Sequence, residues 1–174
     1  MSQIYYATYS STIGPLVLLR YQGKLIYVKY GTMETVKERL TKWSEKHQLP
    51  TTFQESTAEL EPVITQLDEY FQQKRTTFSI DYRFYGTTFQ KKVWQALASR
   101  VAYGATCSYQ DIADYIAAPK AVRAVGGANN KNPISIIVPC HRVIGKNGKL
   151  VGYGGGLDKK EYLLALEQAD TENR

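Results

Sequence analysis

The sequence predicts an α+β chain of two domains, an N-terminal antiparallel sheet with flanking helices over 1–86 and a mainly helical domain with a helix-turn-helix over 87–174. Three observations predict it. Apolar residues alternate in the strand manner near the start, the period becomes helical after Tyr85-Gly86-Thr87, and two short helical patterns beyond that point are joined by a tight turn in a basic context. With 174 residues, 43% of them hydrophobic, the chain is long and apolar enough to build a real core.

The strands come first. Ile4 to Tyr9, Leu16 to Leu19 after Gly14-Pro15, and Leu25 to Val28 after Gln22-Gly23 read as an antiparallel meander. Val36, Leu40 and Trp43 then recur at helical spacing up to Leu49-Pro50, and Leu60, Val63, Ile64, Leu67, Tyr70 and Phe71 make a second amphipathic helix opened by Ser56 or Thr57. Phe78, Ile80 and Tyr82 alternate again as a strand would. No cluster of catalytic residue types falls in this half, which reads as a supporting scaffold.

In the second half Thr87 and Gln90 form a capping box for a helix whose buried stripe is Phe89, Val93, Trp94, Leu97 and Val101. Ser108 and Asp111 cap the next, which runs through Ile112 and Ile116. Ala117-Ala118-Pro119 turns the chain into a helix from Lys120 to Asn129. Ala121, Val122, Ala124, Val125, Gly126, Gly127 and Ala128 are nearly all small, so this helix suits close approach to another backbone rather than reading of base edges, and Arg123 is its only long side chain. A helix of that kind fits a narrow groove with one side chain inserted where a base has left the stack; tight packing on its own core, with Arg123 on the surface, is the alternative. Gly145-Lys146-Asn147-Gly148 reads as a hairpin turn, and Gly152 to Gly156 as a flexible segment whose backbone can approach a ligand. The closing helix, Asp158 to Ala169, is expected to turn Tyr162, Leu163 and Leu166 inward and to hold Glu167 in its last turn, where the helix dipole opposes a carboxylate unless a buried partner holds it.

Composition removes several functions. No apolar run is long enough to cross a bilayer and the N-terminus lacks the form of a signal peptide, so a soluble, cytoplasmic protein is expected. The only Cys are Cys107 and Cys140 and the only His are His47 and His141, too few for a disulfide framework, and a four-ligand zinc site would need all of them, so no metal is expected. The Gly-rich segment lacks a following Lys-Ser/Thr and opens its helix at Asp158, which excludes a phosphate-cradling loop. Of the net charge of +6, residues 87–174 carry +5, with 12 Lys/Arg against 7 Asp/Glu, and a polyanion would bind there.

The stretch from Asn132 to Val143 carries the chemistry. An apolar run of Ile134, Ile136, Ile137 and Val138 ends at Pro139 and is followed at once by Cys140, His141 and Arg142, as though a strand delivered a nucleophile to the edge of a pocket. A thiol reacts as its thiolate, so His141 can serve as base and Arg142 can supply a stabilising charge. The plain alternative, an inert buried Cys, is disfavoured by those neighbours.

Pro139-Cys140-His141-Arg142-Val143, with Asn132-Pro133 before it and the Gly-rich segment after it, resembles the active-site signature of the O6-alkylguanine-DNA alkyltransferases. The resemblance runs weakly from Ser11-Thr12-Ile13-Gly14-Pro15 and strongly from Gly86 to Glu167. It implies an RNase H-like N-terminal domain and a C-terminal domain that flips an O6-alkylguanine out of double-stranded DNA and takes the alkyl group irreversibly onto Cys140, without a cofactor. It further implies that His141 is the base acting through a water, that Glu167 orients it, that Asn132 braces the turn and that Tyr109 hydrogen-bonds the flipped base. Arg123 would fill the vacated stack, with Ala121, Ala124, Gly127 and Lys131 against DNA. Val143, Tyr153, Gly154 and Lys160 would line the pocket. Ser135 stands where many members have proline, which bears on pocket width. A monomer is expected. Rival readings are a non-catalytic lesion-binding protein, against which Cys140 argues, and a thiol hydrolase, for which no acyl-substrate feature is present.

Overall fold

The computed structural model describes residues 2–145, 148 and 150–172, and it divides into two compact units, Met1–Tyr85 and Gly86–Arg174. In the first, β1 (Ile4–Ser11), β2 (Gly14–Tyr21) and β3 (Lys24–Tyr30) form the expected meander. Helix α1 (Met33–Lys46) then crosses over and delivers a short β4 (Phe53–Glu55) parallel to β1, so the sheet is mixed, with order β3-β2-β1-β4. Strand β4 is invisible in the sequence because Phe53-Gln54-Glu55 is too short to show a period, and a parallel partner needs just such a crossover.

Both faces of the central strand are covered. Val17 and Leu19 share a cluster with Val36 and Leu40 of α1, while α2 (Thr57–Phe71), capped by Ser56 as expected, packs on β1 and β2, where Tyr9 donates to Asp68 of α2 at 3.2 Å. The alternation at Phe78, Ile80 and Tyr82 does not make a strand. Only an isolated bridge pairs Tyr82 with Leu25, through Leu25 N–H to the Asp81 carbonyl at 2.9 Å and Arg83 N–H to the Leu25 carbonyl at 3.0 Å.

The second unit is helical, with α3 (Thr88–Arg100), α4 (Tyr109–Tyr115), α5 (Val122–Asn130) and α6 (Leu157–Glu172). Both predicted capping boxes form, Thr87 with Gln90 and Ser108 with Asp111. A Cβ at Gly86 would lie 2.6 Å from the Trp94 ring, so only glycine lets the chain enter α3 there. Trp94 Nε1 donates to the Ala128 carbonyl at 2.8 Å and ties α3 to α5. Between α4 and α5 the chain reverses through Ala117, whose φ is +58°, giving the expected helix-turn-helix connection. Two short strands, β5 (Cys107–Ser108) and β6 (Val143–Ile144), pair in parallel. Lys146 and Asn147 of the expected hairpin turn lie outside the described residues.

Helix α6 turns Leu163 inward as expected, leaves Leu166 half-buried and does not bury Tyr162. Its buried face is Lys160, Leu163, Leu164 and Glu167, whereas Tyr162 is 40% exposed. Two charged residues displace a tyrosine from the inner face because each finds polar partners there, which a hydrophobicity pattern does not register.

Candidate active site and nucleic-acid interface

The apolar run before Cys140 is not a strand. Asn132, itself buried, organises residues 133–138 into a compact turn, accepting from the Ile134 N–H at 3.0 Å and donating from Nδ2 to the carbonyls of Val138 at 2.8 Å and Ile134 at 3.3 Å. Backbone bonds from Val138 to Ile134 at 3.1 Å and from Ile137 to Ser135 at 2.8 Å close it, and Ile136 is held at φ +72°. A β-branched residue is rarely found there, and such strain, of order 1–3 kcal/mol, persists only where its surroundings impose it. The local side-chain bonds of Asn132 outcompete strand pairing, and the apolar content reports burial alone.

The turn feeds a 3₁₀ segment, Cys140–Arg142, buried throughout. His141 is wholly buried and its Nε2 lies 2.7 Å from Glu167 Oε2. Arg142 grips the same carboxylate, Nε to Oε1 at 2.8 Å and Nη2 to Oε2 at 3.1 Å, and places Nη1 on the Val101 carbonyl at 2.8 Å. Burial pushes Glu167 up, but His141 and Arg142 outweigh it and hold the carboxyl at about 2. Burial pushes His141 down more than Glu167 pulls it up, so the imidazole is neutral. A neutral imidazole beside a carboxylate donates from Nε2, which leaves Nδ1 as a lone pair, and Nδ1 has no hydrogen-bond partner among the described residues. The expected pairing of His141 with Glu167 is therefore present in the geometry, with a base nitrogen available one residue from the thiol.

Lys160 is electrostatically coupled to Cys140, whereas Arg142 is bound to Glu167 and Val101. Lys160 is fully buried on α6 and donates to the carbonyls of Val143, Val151 at 2.8 Å and Gly152 at 3.5 Å. Burial lowers its pKa, and the Cys140 and Cys107 thiols oppose the shift. Tyr109, in the first turn of α4, donates to the Val151 carbonyl at 3.2 Å, and burial raises its pKa, with the charges of Cys140 and Cys107 adding to it, so the phenol keeps its proton. Its ring lies 3.9 Å from a Cβ built on Gly126, which brings α4 close to α5. Gly152, at φ +54°, is packed so that a Cβ would meet Asn130 at 3.2 Å and the Tyr109 hydroxyl at 3.6 Å. Gly154 lies exposed beside the Asn130 carbonyl, Tyr153 is half-buried, and Val143 is fully buried in β6. Tyr109, Lys160 and the loop at 151–154 thus surround one region next to the thiol.

Two neighbours of this region were not read from the sequence. Asn129, at the end of α5, is buried and donates to the Cys140 carbonyl at 3.4 Å. Cys107 is a second buried thiol, pushed up to about 12 by burial, with Asp111 adding and Lys160 opposing, and is inert at neutral pH. Neither carries a local signal.

On α5, Arg123, Ala124 and Gly127 are exposed, Lys131 just beyond continues the same face, and Ala121 is partly covered at the helix start. A Cβ at Gly127 would meet nothing within 4 Å, so this side presents nearly bare backbone with Arg123 standing from it.

Residues 88–169 match the family model of the 6-O-methylguanine DNA methyltransferase DNA binding domain, and residues 4–84 match that of the 6-O-methylguanine DNA methyltransferase ribonuclease-like domain. The chain belongs to the 6-O-methylguanine DNA methyltransferase family. A methylated-DNA–protein-cysteine methyltransferase of Methanosarcina acetivorans is 45% identical over 164 residues, covering 94% of this chain and 98% of the relative. One of Mycobacterium bovis is 44% identical over 166 residues, covering 95% and 93%. The crystal structure of Mycobacterium tuberculosis OGT in complex with DNA superposes with a TM-score of 0.82 at 41% identity, covering 95% of this chain and 94% of that one. The ribonuclease-like match agrees with the RNase H-like expectation for the first unit, and the two-domain α+β class stands, with the sheet mixed.

Proposed function

We propose that this methyltransferase-family chain repairs DNA by moving an alkyl group, methyl above all, from O6 of guanine in double-stranded DNA onto Cys140, once per molecule. The observation that carries the reading is the buried sequence Cys140, His141 and Glu167, in which a neutral imidazole with an unpaired Nδ1 stands beside a thiol in a chain of this family. Cys140 loses its proton, through a water, to His141 Nδ1, and the imidazolium is stabilised by Glu167. The sulfur attacks the alkyl carbon, the carbon–O6 bond breaks, and its electrons pass to the purine, which Tyr109 protonates or hydrogen-bonds. Lys160 supports the thiolate. The product is a thioether, and among the described residues no nucleophile is placed to release it, so the reaction is stoichiometric.

The second unit accordingly both binds DNA and accepts the alkyl group, with the first as its scaffold. The exposed side of α5, with Ala121, Ala124, Gly127 and Lys131, lies against the groove, and Arg123 replaces the extruded base. Asn132 braces the turn that presents Cys140, and Val143, Tyr153, Gly154 and Lys160 shape the pocket. No helix among the described residues is long and apolar enough to cross a membrane, and a cytoplasmic monomer fits a task needing one chain per lesion.

Intact-protein mass after incubation with O6-methylguanine duplex tests this. A gain of one methylene on the peptide carrying Cys140, abolished in Cys140→Ser while duplex binding persists, supports it. An unchanged mass favours the lesion-binding reading, and released product without protein modification favours a hydrolase.

A further inference from the structure

Arg142 has a task that the proposed transfer leaves open. Three charged or titratable side chains meet in a buried cluster: Glu167 at 1% exposure, His141 at 0% and Arg142 at 6%. Lys160 also acts on His141, more weakly, from the same helix as Glu167, with its ammonium on backbone carbonyls. Beyond the guanidinium lie the Tyr103 ring, 5.7 Å away, and the Val101 carbonyl. Low-dielectric surroundings penalise any net charge the cluster keeps. With Arg142 present, an ionised Glu167 and a neutral His141 sum to zero, and the imidazole can hold its single proton on Nε2.

Without Arg142, the same protonation state would leave one negative charge buried. The pair would relieve it by binding one more proton. If that proton settled on the imidazole, both ring nitrogens would be protonated. If it settled on Glu167, the carboxylic acid would donate to Nε2 and the imidazole proton would move to Nδ1. In either case Nδ1 loses its lone pair.

We propose that Arg142 is a positioning residue for the transfer, whose forked contact with Glu167 keeps the His141–Glu167 pair one proton short and so leaves Nδ1 free to take the proton of Cys140. The inference rests on the alkyl transfer proposed above. Arg142 sets the protonation of the base through Glu167.

The test follows transfer from free O6-alkylguanine base, monitored by protein mass, as a function of pH in the wild type, Arg142→Met and Arg142→Lys. A general base is worth about 100-fold or more. Arg142→Met should lose about that factor near neutral pH and regain much of it as the pH rises and the extra proton leaves. Arg142→Lys, which restores the charge but not the fork, should fall between. A loss in Arg142→Met that is uniform across pH means a structural role only and overturns the proposal. If Arg142→Met does not fold, nitrogen NMR of wild-type His141 decides: protonation at Nε2 alone near neutral pH supports it, and a proton on Nδ1 overturns it. If the wild type gains no mass at all, it is the transfer reading that fails.

Discussion

The two units bury different things. Among the described residues the first encloses an almost purely apolar core, with Ser44 its one buried polar side chain, whereas the second buries Asn129, Asn132, Ser135, His141, Arg142, Lys160 and Glu167. Their backbones differ likewise: positive φ outside glycine falls on exposed turns at Gln22, Gln48 and Gln73 in the first unit, whereas the second adds to its exposed turn at Ala117 the buried Ile136. Apolar burial stabilises without direction, while buried charges contribute little net stability and hold a fixed arrangement of protons and lone pairs. The first unit packs on apolar contacts; the second holds an imidazole, a carboxylate and a thiol in register.

Breaking one core in each unit separates these roles. Glu167→Gln strands the Arg142 charge and takes the carboxylate from His141, and breaking a buried ion pair costs about 3–5 kcal/mol. Chemical denaturation should show that loss, together with a transfer rate per folded molecule reduced by about 100-fold or more. Leu19→Ala, fully buried in the first unit, should cost about 2–5 kcal/mol and leave the rate per folded molecule unchanged. Equal effects of the two on that rate would contradict the division.

Acid should act on the second unit first. Burial holds His141 below its ordinary 6.5, so on acidification the unfolded chain takes up a proton that the folded chain refuses, and stability falls as pH drops through 6.5. Glu167 is held at about 2 against an ordinary 4.5, so its contribution is complete above 4.5 and is lost as pH falls towards 2. Amide hydrogen exchange at decreasing pH, corrected for intrinsic rates, should show α6 losing protection before β1 and β2. The reverse order would place the acid-sensitive groups elsewhere.

The smallest effect tests the exposed face of α5 against the buried site. Arg123→Ala should slow repair of duplex DNA by about tenfold or more, because extruding a base costs a few kcal/mol that an inserted side chain partly offsets. Reaction with free alkylated base should stay near the wild-type rate. Equal losses on both substrates would mean that Arg123 supports the pocket.

Much of this architecture is legible in the sequence where local chemistry decides it. The capping boxes at Thr87 and Ser108, the meander and the Ala117 turn depend on neighbours a few residues away. So does the motif of Cys140 and His141. What escapes is set by distant partners. A hydrophobicity pattern does not place Lys160 and Glu167 on the inner face of α6, where they sit, and their seven-residue spacing, with Leu163 and Leu164 between, is the trace they leave in the chain. Ile134 to Val138 reads as a strand because burial and strand formation favour the same residues, and only the hydrogen bonds of Asn132 distinguish them. The sequence places Arg142 beside the thiol, yet it turns to a carboxylate twenty-five positions away.

The central claim is that the second unit makes Cys140 an acceptor used once. Excess methylated duplex mixed with the protein, with repaired guanine and unmodified Cys140 counted over time, tests it most directly. The account predicts that repair stops at one guanine per chain, in step with the disappearance of free Cys140. Repair continuing beyond one equivalent, or proceeding with Cys140 unmodified, would contradict it.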